Sequence, residues 1–415
     1  MAGRRYPFSV LLAAAMLNGQ RTVLPPARAT GAVRQALSRY QNPLVIDAID
    51  PILDRASPRD RDQAWEAATA LGKAAGDLEI STSGSTGLPV AHHKTWHMLD
   101  RGALLATELI ARAGMLPGEC LVAGTTPHQH MYGLEASVFT GLAHGHVLYD
   151  TPVFYPADLE ALDQRAAEAG LDAIALVTSP PHLKFLAEKI RALPRIRCVL
   201  SATAPLSRAL AEEVDTDAST KVFEIYGSTE TGSLAWRRTV SDDLWTPLDG
   251  FQVLPGPDGW RAAAPHLPEI TPLSDEIELA EGGRFRLAGR RGDMVRVAGK
   301  RHSLGALNAV LAALPMIADG AVLRETVEGE DRLHMFVVPK EPEADRRALI
   351  DSVKTGLRET LDSVFVPRRI HVVDSLPRNE TGKISSRDAA VLIATGGRAQ
   401  GTQGIARKIG GPTSG

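Results

Sequence analysis

The segment Ser81-Thr82-Ser83-Gly84-Ser85-Thr86-Gly87-Leu88-Pro89 continues a short run, Asp77 to Thr82, that reads as a strand. Glycines let backbone N–H groups close on phosphate oxygens, and the hydroxyls of Ser83, Ser85 and Thr86 add donors. The Gly-Lys-Ser/Thr ending of a Walker A loop is missing. A Ser/Thr/Gly run is by itself more often a plain loop, so its meaning depends on its surroundings. Just downstream, Trp96, Leu99, Ala103, Ala106 and Ile110 recur at helical spacing and predict a helix with one buried stripe. Strand-like runs at 120–125, 173–178, 197–202 and 221–226 have helical segments between several of them. That alternation predicts an α/β architecture with a largely parallel sheet.

The 415 residues are too many for one small core and predict two domains. Lys plus Arg number 46 and Asp plus Glu 49, a net charge of −3 that argues against a general nucleic-acid binder. Hydrophobic residues at 44% and charged residues at 23% fit a soluble globular protein. Cys120 and Cys198 are too few for a disulfide framework or a four-cysteine zinc site, and a reducing, cytoplasmic setting is expected. Arg4 and Arg5 precede the apolar stretch 10–17, which could pass for a signal peptide, but Asn18-Gly19-Gln20-Arg21 follows in place of a small-residue cleavage site. The expectation is a first helix packed on the domain. No stretch reaches the roughly 20 apolar residues of a membrane span.

Residues 54–77 are charged and helical in character. Near residue 290 the texture changes: strands are expected at 293–298, 333–338 and 369–373, with a charged helix over 344–362. These make a separate α+β domain of about a hundred residues. The expected organisation is a large domain over 1–290, a small one over 291–394, and a disordered tail over 395–415, whose seven glycines accompany no acidic residue.

Three further segments change the odds for the glycine-rich loop. They are Ile225-Tyr226-Gly227-Ser228-Thr229-Glu230-Thr231-Gly232; Phe285-Arg286-Leu287-Ala288-Gly289-Arg290-Arg291-Gly292-Asp293, running on to Val297-Ala298-Gly299-Lys300-Arg301; and Leu376-Pro377-Arg378-Asn379-Glu380-Thr381-Gly382-Lys383. In this order, over roughly residues 77 to 390, the set resembles the adenylate-forming superfamily of acyl-CoA synthetases, aryl-acid ligases, luciferases and peptide-synthetase adenylation domains. The resemblance implies a large domain with mixed and parallel sheets and a small mobile C-terminal lid.

Such enzymes join a carboxylate to the α-phosphorus of ATP and expel pyrophosphate, so the site must neutralise two anionic reactants and hold them in line. By resemblance, Ser83, Gly84, Ser85, Thr86 and Gly87 wrap the β- and γ-phosphates. Glu230 matches the glutamate that binds Mg²⁺, a hard cation suited to carboxylate and phosphate oxygens. Thr229 matches the threonine beside the α-phosphate, Tyr226 with Gly227 the aromatic turn facing adenine, and Ala202-Thr203-Ala204 the small strand end on its other face. Alone, 226–232 would read as a surface turn. Asp275 sits where the family aspartate meets the ribose hydroxyls, although Leu273-Ser274 replaces the usual Thr-Gly before it. Arg290 matches a ribose-contacting arginine. Lys383 matches the mobile lysine that reaches both carboxylate and α-phosphate, completing the site on domain closure.

Departures accompany these matches. Val90 stands where the first motif usually carries lysine after Pro89, and Lys94, four residues on, is the candidate replacement charge. Gly292 stands where an acidic hinge residue is usual, and glycine absorbs rotation easily. Only about 80 residues precede the loop, so part of the larger family domain is expected to be trimmed. Pro127-His128-Gln129-His130-Met131-Tyr132-Gly133-Leu134 resembles the segment at the acid pocket, with His130 as gate or orienting group and Gly133 allowing close backbone approach. His92, His93, His97, His128, His144 and His146 read by default as surface or core histidines. Leu24-Pro25-Pro26, Pro43-Leu44-Val45-Ile46-Asp47 and Lys94-Thr95-Trp96 are similar to compact ligases of aryl-polyene and xanthomonadin-type pigment pathways. This resemblance implies an aryl acid, possibly a hydroxybenzoate in type, passed to acyl-carrier-protein phosphopantetheine or CoA, with Gly299 bordering the thiol tunnel. A fatty acyl-CoA synthetase and a non-catalytic nucleotide-binding or scaffold homologue are the alternatives.

Overall fold

Strands Cys120–Gly124 and Ala173–Thr178 are buried at every residue, which requires a covered surface on both faces. The computed structural model describes residues 4–25, 30–41, 43–45, 76–83, 89–216, 219–290, 293–297, 300–327, 330–341, 345–367, 369–378 and 382–397. The chain divides into two compact units, Met1–Met294 with Arg378–Lys383, and Val295–Pro377 with Ile384–Gly415. Residues 84–87 of the phosphate loop 83–87, residues 291–292 of the hinge 291–293, Gly299, residues 54–75 of the helical stretch expected over 54–77 and the tail from 398 lie outside the described residues.

The larger unit opens with helix α1 (Arg5–Leu17), strand β1 (Thr22–Leu24) and helix α2 (Thr30–Leu37). Strands β2 (Asp77–Ser83) and β3 (Pro89–Thr95) follow. β1 pairs parallel to β2, and β2 antiparallel to β3. α1 packs on the domain: Phe8, Leu12 and Met16 join Leu24, Leu78, Ile80 and Leu99 in one core. Helix α3 (Trp96–Arg112) starts where the Thr95 hydroxyl accepts the Met98 N–H, 3.4 Å away, a side-chain cap for an otherwise orphan donor. All five residues of its predicted stripe are buried.

Strands β4 (Cys120–Gly124), β5 (Val147–Leu148), β6 (Ala173–Thr178), β7 (Ile196–Ser201), β8 (Lys221–Ser228), β9 (Gly232–Arg237) and β10 (Thr246–Pro247) form the central sheet in the order β10-β9-β8-β7-β6-β4-β5. β5, β4, β6, β7 and β8 are parallel, β9 pairs antiparallel to β8, and β10 antiparallel to β9. Alternate residues feed two cores. Val122, Ala175, Leu200 and Phe223 face the α3 side. Leu176 and Val199 face the helices Pro156–Glu168, Pro180–Arg191 and Arg208–Val214. Segments 125–130, 202–206 and 229–231 all leave the carboxyl ends of parallel strands or the β8–β9 turn, where open α/β sheets bind ligands.

The smaller unit is built on strands Ile317–Val327, Glu330–Pro339 and Ile370–Val372, the first pair antiparallel and the second parallel. Met335 and Val337 pack on helices Leu304–Ala312 and Arg346–Thr360, while Phe336 and Val373 pack on Leu392 of helix Ser386–Thr395. The tail expectation needs a correction at its start: Thr395 ends this helix and Gly396, at φ 60°, caps it in the left-handed conformation glycine favours. No described helix is long and apolar enough to cross a membrane.

Candidate active site

β8 ends in a tight reversal into β9, and this turn organises the site. Ser228 Oγ and Thr231 Oγ1 lie 3.1 Å apart, the Ser228 N–H donates to Thr231 Oγ1, and the Thr231 N–H returns a bond to Ser228 Oγ. Such hydroxyl-to-backbone bonds let a short polar turn replace the ladder it leaves. Thr229 is half-buried at its crest and the Glu230 side chain is 50% exposed. Partial burial alone lifts the Glu230 carboxyl. The Ser228 hydroxyl, a backbone N–H, His92 and Lys94 outweigh it, so the net shift is downward and the group is held ionised.

Lys94, on β3, is 1% exposed and donates from Nζ to the Glu230 carbonyl at 2.7 Å. Burial lowers its pKa against the opposing pull of Glu135 and Glu230. The candidate replacement charge is therefore tied to the backbone of the glutamate turn. His92, two residues before it, places Nε2 3.0 Å from Thr82 Oγ1 and 3.8 Å from Glu230 Oε1. His92 thus stands between β2, the strand leading into the phosphate loop, and Glu230.

Tyr226 and Asp275, 49 residues apart, are joined by the Tyr226 hydroxyl donating to Asp275 Oδ2 at 2.8 Å. The Tyr226 ring is wedged 5.6 Å from Trp245 and 5.8 Å from Phe285, which fixes its plane. Asp275 opens strand Asp275–Leu279 and pairs in register with Arg290, the last residue of strand Phe285–Arg290. At the end of β7, Ala202 is buried and Ala204 half-buried, with Thr203 between them at φ 78°. A β-branched residue in that region is strained, and its Oγ1 is buried with no partner among the described residues.

On the β4 side, the His130 N–H donates to the Pro127 carbonyl and the Leu134 N–H to the His130 carbonyl. A Cβ on Gly133 would lie 2.2 Å from the Pro127 oxygen, so only glycine lets this segment close on itself. Tyr132 donates its hydroxyl to the Leu200 carbonyl at 2.7 Å, tying the segment to β7. Lys383 is an exposed residue between Gly382 and Ile384.

Sequence reading stopped one residue short of Glu135. This carboxylate is fully buried in the π-helical segment Leu134–Phe139, and its Oε2 accepts from the Ser233 N–H at 3.0 Å and the Ser233 hydroxyl at 2.8 Å. Burial raises its pKa to about 7, opposed by Ser233 and Lys94. The available signal was a lone acid inside the apolar run Leu134 to Phe139.

The model of AMP-binding enzymes matches residues 78–253, and that of the AMP-binding enzyme C-terminal domain matches 306–383. The chain belongs to the adenylate-forming superfamily. Within the superfamily it is 29% identical over 320 residues to a 4-coumarate–CoA ligase of Halorhodospira halophila, covering 74% of each chain. It is 36% identical over 97 residues to a 3-hydroxybenzoate–CoA/4-hydroxybenzoate–CoA ligase of Thauera aromatica, over 23% of this chain and 18% of that one. The fold is shared with o-succinylbenzoate CoA synthetase of Bacillus subtilis, at a TM-score of 0.64 and 18% identity over 91% of this chain and 84% of that one.

Proposed function

We propose that this adenylate-forming enzyme is an AMP-forming ligase that activates an aryl carboxylic acid, a hydroxybenzoate in type, and passes it to a thiol of CoA or of carrier-protein phosphopantetheine. The observation that carries the reading is the Tyr226–Asp275 hydrogen bond, in a unit whose Glu230 carboxylate is held ionised. The similarity to coumarate and hydroxybenzoate ligases supports the aryl class.

In the first step a carboxylate oxygen attacks the α-phosphorus and the bond to the β-phosphate breaks, releasing pyrophosphate. In the second the thiolate attacks the acyl carbon and AMP leaves. Asp275 and Arg290 receive the ribose, with Tyr226 fixing the Asp275 carboxylate, and Tyr226 with Ala202 and Ala204 brackets adenine. Loop 83–87 meets the outer phosphates, Thr229 the α-phosphate, His130 orients the acid, and Lys383 supplies positive charge where the two reactants meet.

The donor set fits Mg²⁺: one ionised carboxylate, Glu230, beside oxygen-bearing side chains, with phosphate oxygens to complete the shell. Among the described residues no three His, Cys, Asp or Glu gather as an all-protein metal cage. When bound there, Mg²⁺ neutralises phosphate charge; Lys94 holds the glutamate turn in place for it.

Exchange of labelled pyrophosphate into ATP, run over hydroxybenzoates, coumarate and fatty acids, tests the reading. Exchange with aryl acids alone supports it; a preference for fatty acids points to a fatty acyl-CoA synthetase, and exchange with none to a non-catalytic homologue. Gel-shift loading of a carrier protein against CoA-thioester formation then separates the acceptors. Asp275→Ala is expected to raise the KM for ATP by about 10–100-fold, the worth of a hydrogen bond to a charged group, with little change in the KM for the acid. Equal shifts in both constants would remove Asp275 from the ribose role.

A further inference from the structure

We infer that Arg5 is a positioning residue for the acid-binding segment 125–133, bracing from α1 the backbone that carries His128 and His130. The inference rests on the reading of that segment as the acid pocket.

Arg5 opens α1 and is 1% exposed. Its guanidinium lies between two chain segments that leave neighbouring parallel strands. Nη2 donates to the Gly124 carbonyl at 2.7 Å and the Thr126 carbonyl at 3.4 Å, both at the exit of β4. Nη1 donates to the Thr151 carbonyl at 3.0 Å and the Tyr149 carbonyl at 3.4 Å, just past β5. The helix start is pinned to the same place: the Arg5 N–H donates to the Asp150 carbonyl, the Tyr6 N–H to the Asp150 carboxylate, and Arg4 pairs with Asp150. One turn on, Phe8 sets its ring 4.6 Å from that of His128.

A cation buried for stability alone is best matched to a carboxylate, because its desolvation is otherwise poorly offset. Among the described residues, all four hydrogen-bond acceptors of the Arg5 guanidinium are backbone carbonyls. They belong to residues at or beyond the strand ends, where the ladder no longer supplies all the donors and buried carbonyls need partners. A planar fork with five donors can hold two chain segments at once, whereas a lysine ammonium can only point at one. The brace therefore sets where the chain leaves β4, and Phe8 holds the imidazole two residues before His130.

The test uses the full-length protein with Arg5→Lys and Phe8→Leu, the second in case the first folds poorly. The KM for the acid should rise about 10-fold in Arg5→Lys, as expected for losing one to two hydrogen bonds, while the KM for ATP stays within twofold. Amide hydrogen exchange should quicken in peptides spanning 125–133 and stay unchanged over 221–228. A joint rise in both KM values, or exchange that quickens evenly across the larger unit, would overturn the proposal in favour of a general packing role. If the wild-type protein activates no acid, the pocket reading fails, and hydrogen exchange alone decides the brace: local loss of protection at 125–133 upholds it and its absence refutes it.

Discussion

Lys383→Ala is expected to slow acid adenylation by roughly 10²–10³-fold with the KM for ATP changed only a few-fold, the effect of removing one preorganised group that meets charge developing in the transition state. Two anions approach in the first step, and an ammonium between them counts most when charge is concentrated on the reacting oxygens. In the second step that repulsion is gone. Thioester formation from supplied aryl-adenylate should therefore be nearly normal in the variant. Lys383→Arg should recover little, because a planar fork cannot occupy the place of a compact point charge. Rapid-quench measurement of the two half-reactions checks this. An equal loss in both would assign Lys383 to folding or to domain movement, in place of charge neutralisation.

The second large effect concerns two buried groups that feel each other's charge, Lys94 and Glu135. Lys94→Met is expected to destabilise the larger unit by about 1–3 kcal/mol at pH 8, since it strips the Glu230 carbonyl of its donor and removes the positive charge that acts on the buried Glu135 carboxyl. The sign with pH follows from the raised carboxyl. With a folded pKa of about 7 against 4.5 unfolded, the stabilising preference for the protonated form is complete below 4.5 and is lost as pH rises through 7. Without Lys94 the carboxyl is pushed higher still, so the deficit of the variant should be smaller at pH 5 than at pH 8. Combining Lys94→Met with Glu135→Gln should recover much of the loss, because glutamine keeps an acceptor for Ser233. Urea unfolding at both pH values decides the matter, and a deficit independent of pH would contradict the coupling.

The same pair shows why sequence reading went only part of the way. Cys120–Gly124 and Ala173–Thr178 are continuous apolar runs because both their faces are covered, so they were legible as parallel strands. The α3 stripe was legible because a single helical face meets a core. β3 was not, because its inward positions carry Lys94 and the half-buried His92, and polar groups satisfied by tertiary partners leave no apolar alternation. Arg5 read as a flank of an apolar segment for a related reason. Charge in a sequence gives no sign of the carbonyls that will surround it. Tyr226 and Asp275 were found through family resemblance, since a bond across 49 residues has no local signature. Glu135 escaped because the N–H and hydroxyl that donate to it belong to Ser233 on β9, almost a hundred residues away.

If an organic acid attacks the α-phosphorus of ATP in a site centred on Tyr226, Glu230 and Asp275, one carboxylate oxygen passes to AMP. Following oxygen tests it most directly: an aryl acid labelled with ¹⁸O in its carboxylate is turned over with ATP, Mg²⁺ and CoA, and the AMP is weighed. Each AMP released should carry one labelled oxygen, and Glu230→Gln should release AMP more slowly with the same label in every molecule. Unlabelled AMP, or label in inorganic phosphate released with ADP, would contradict it.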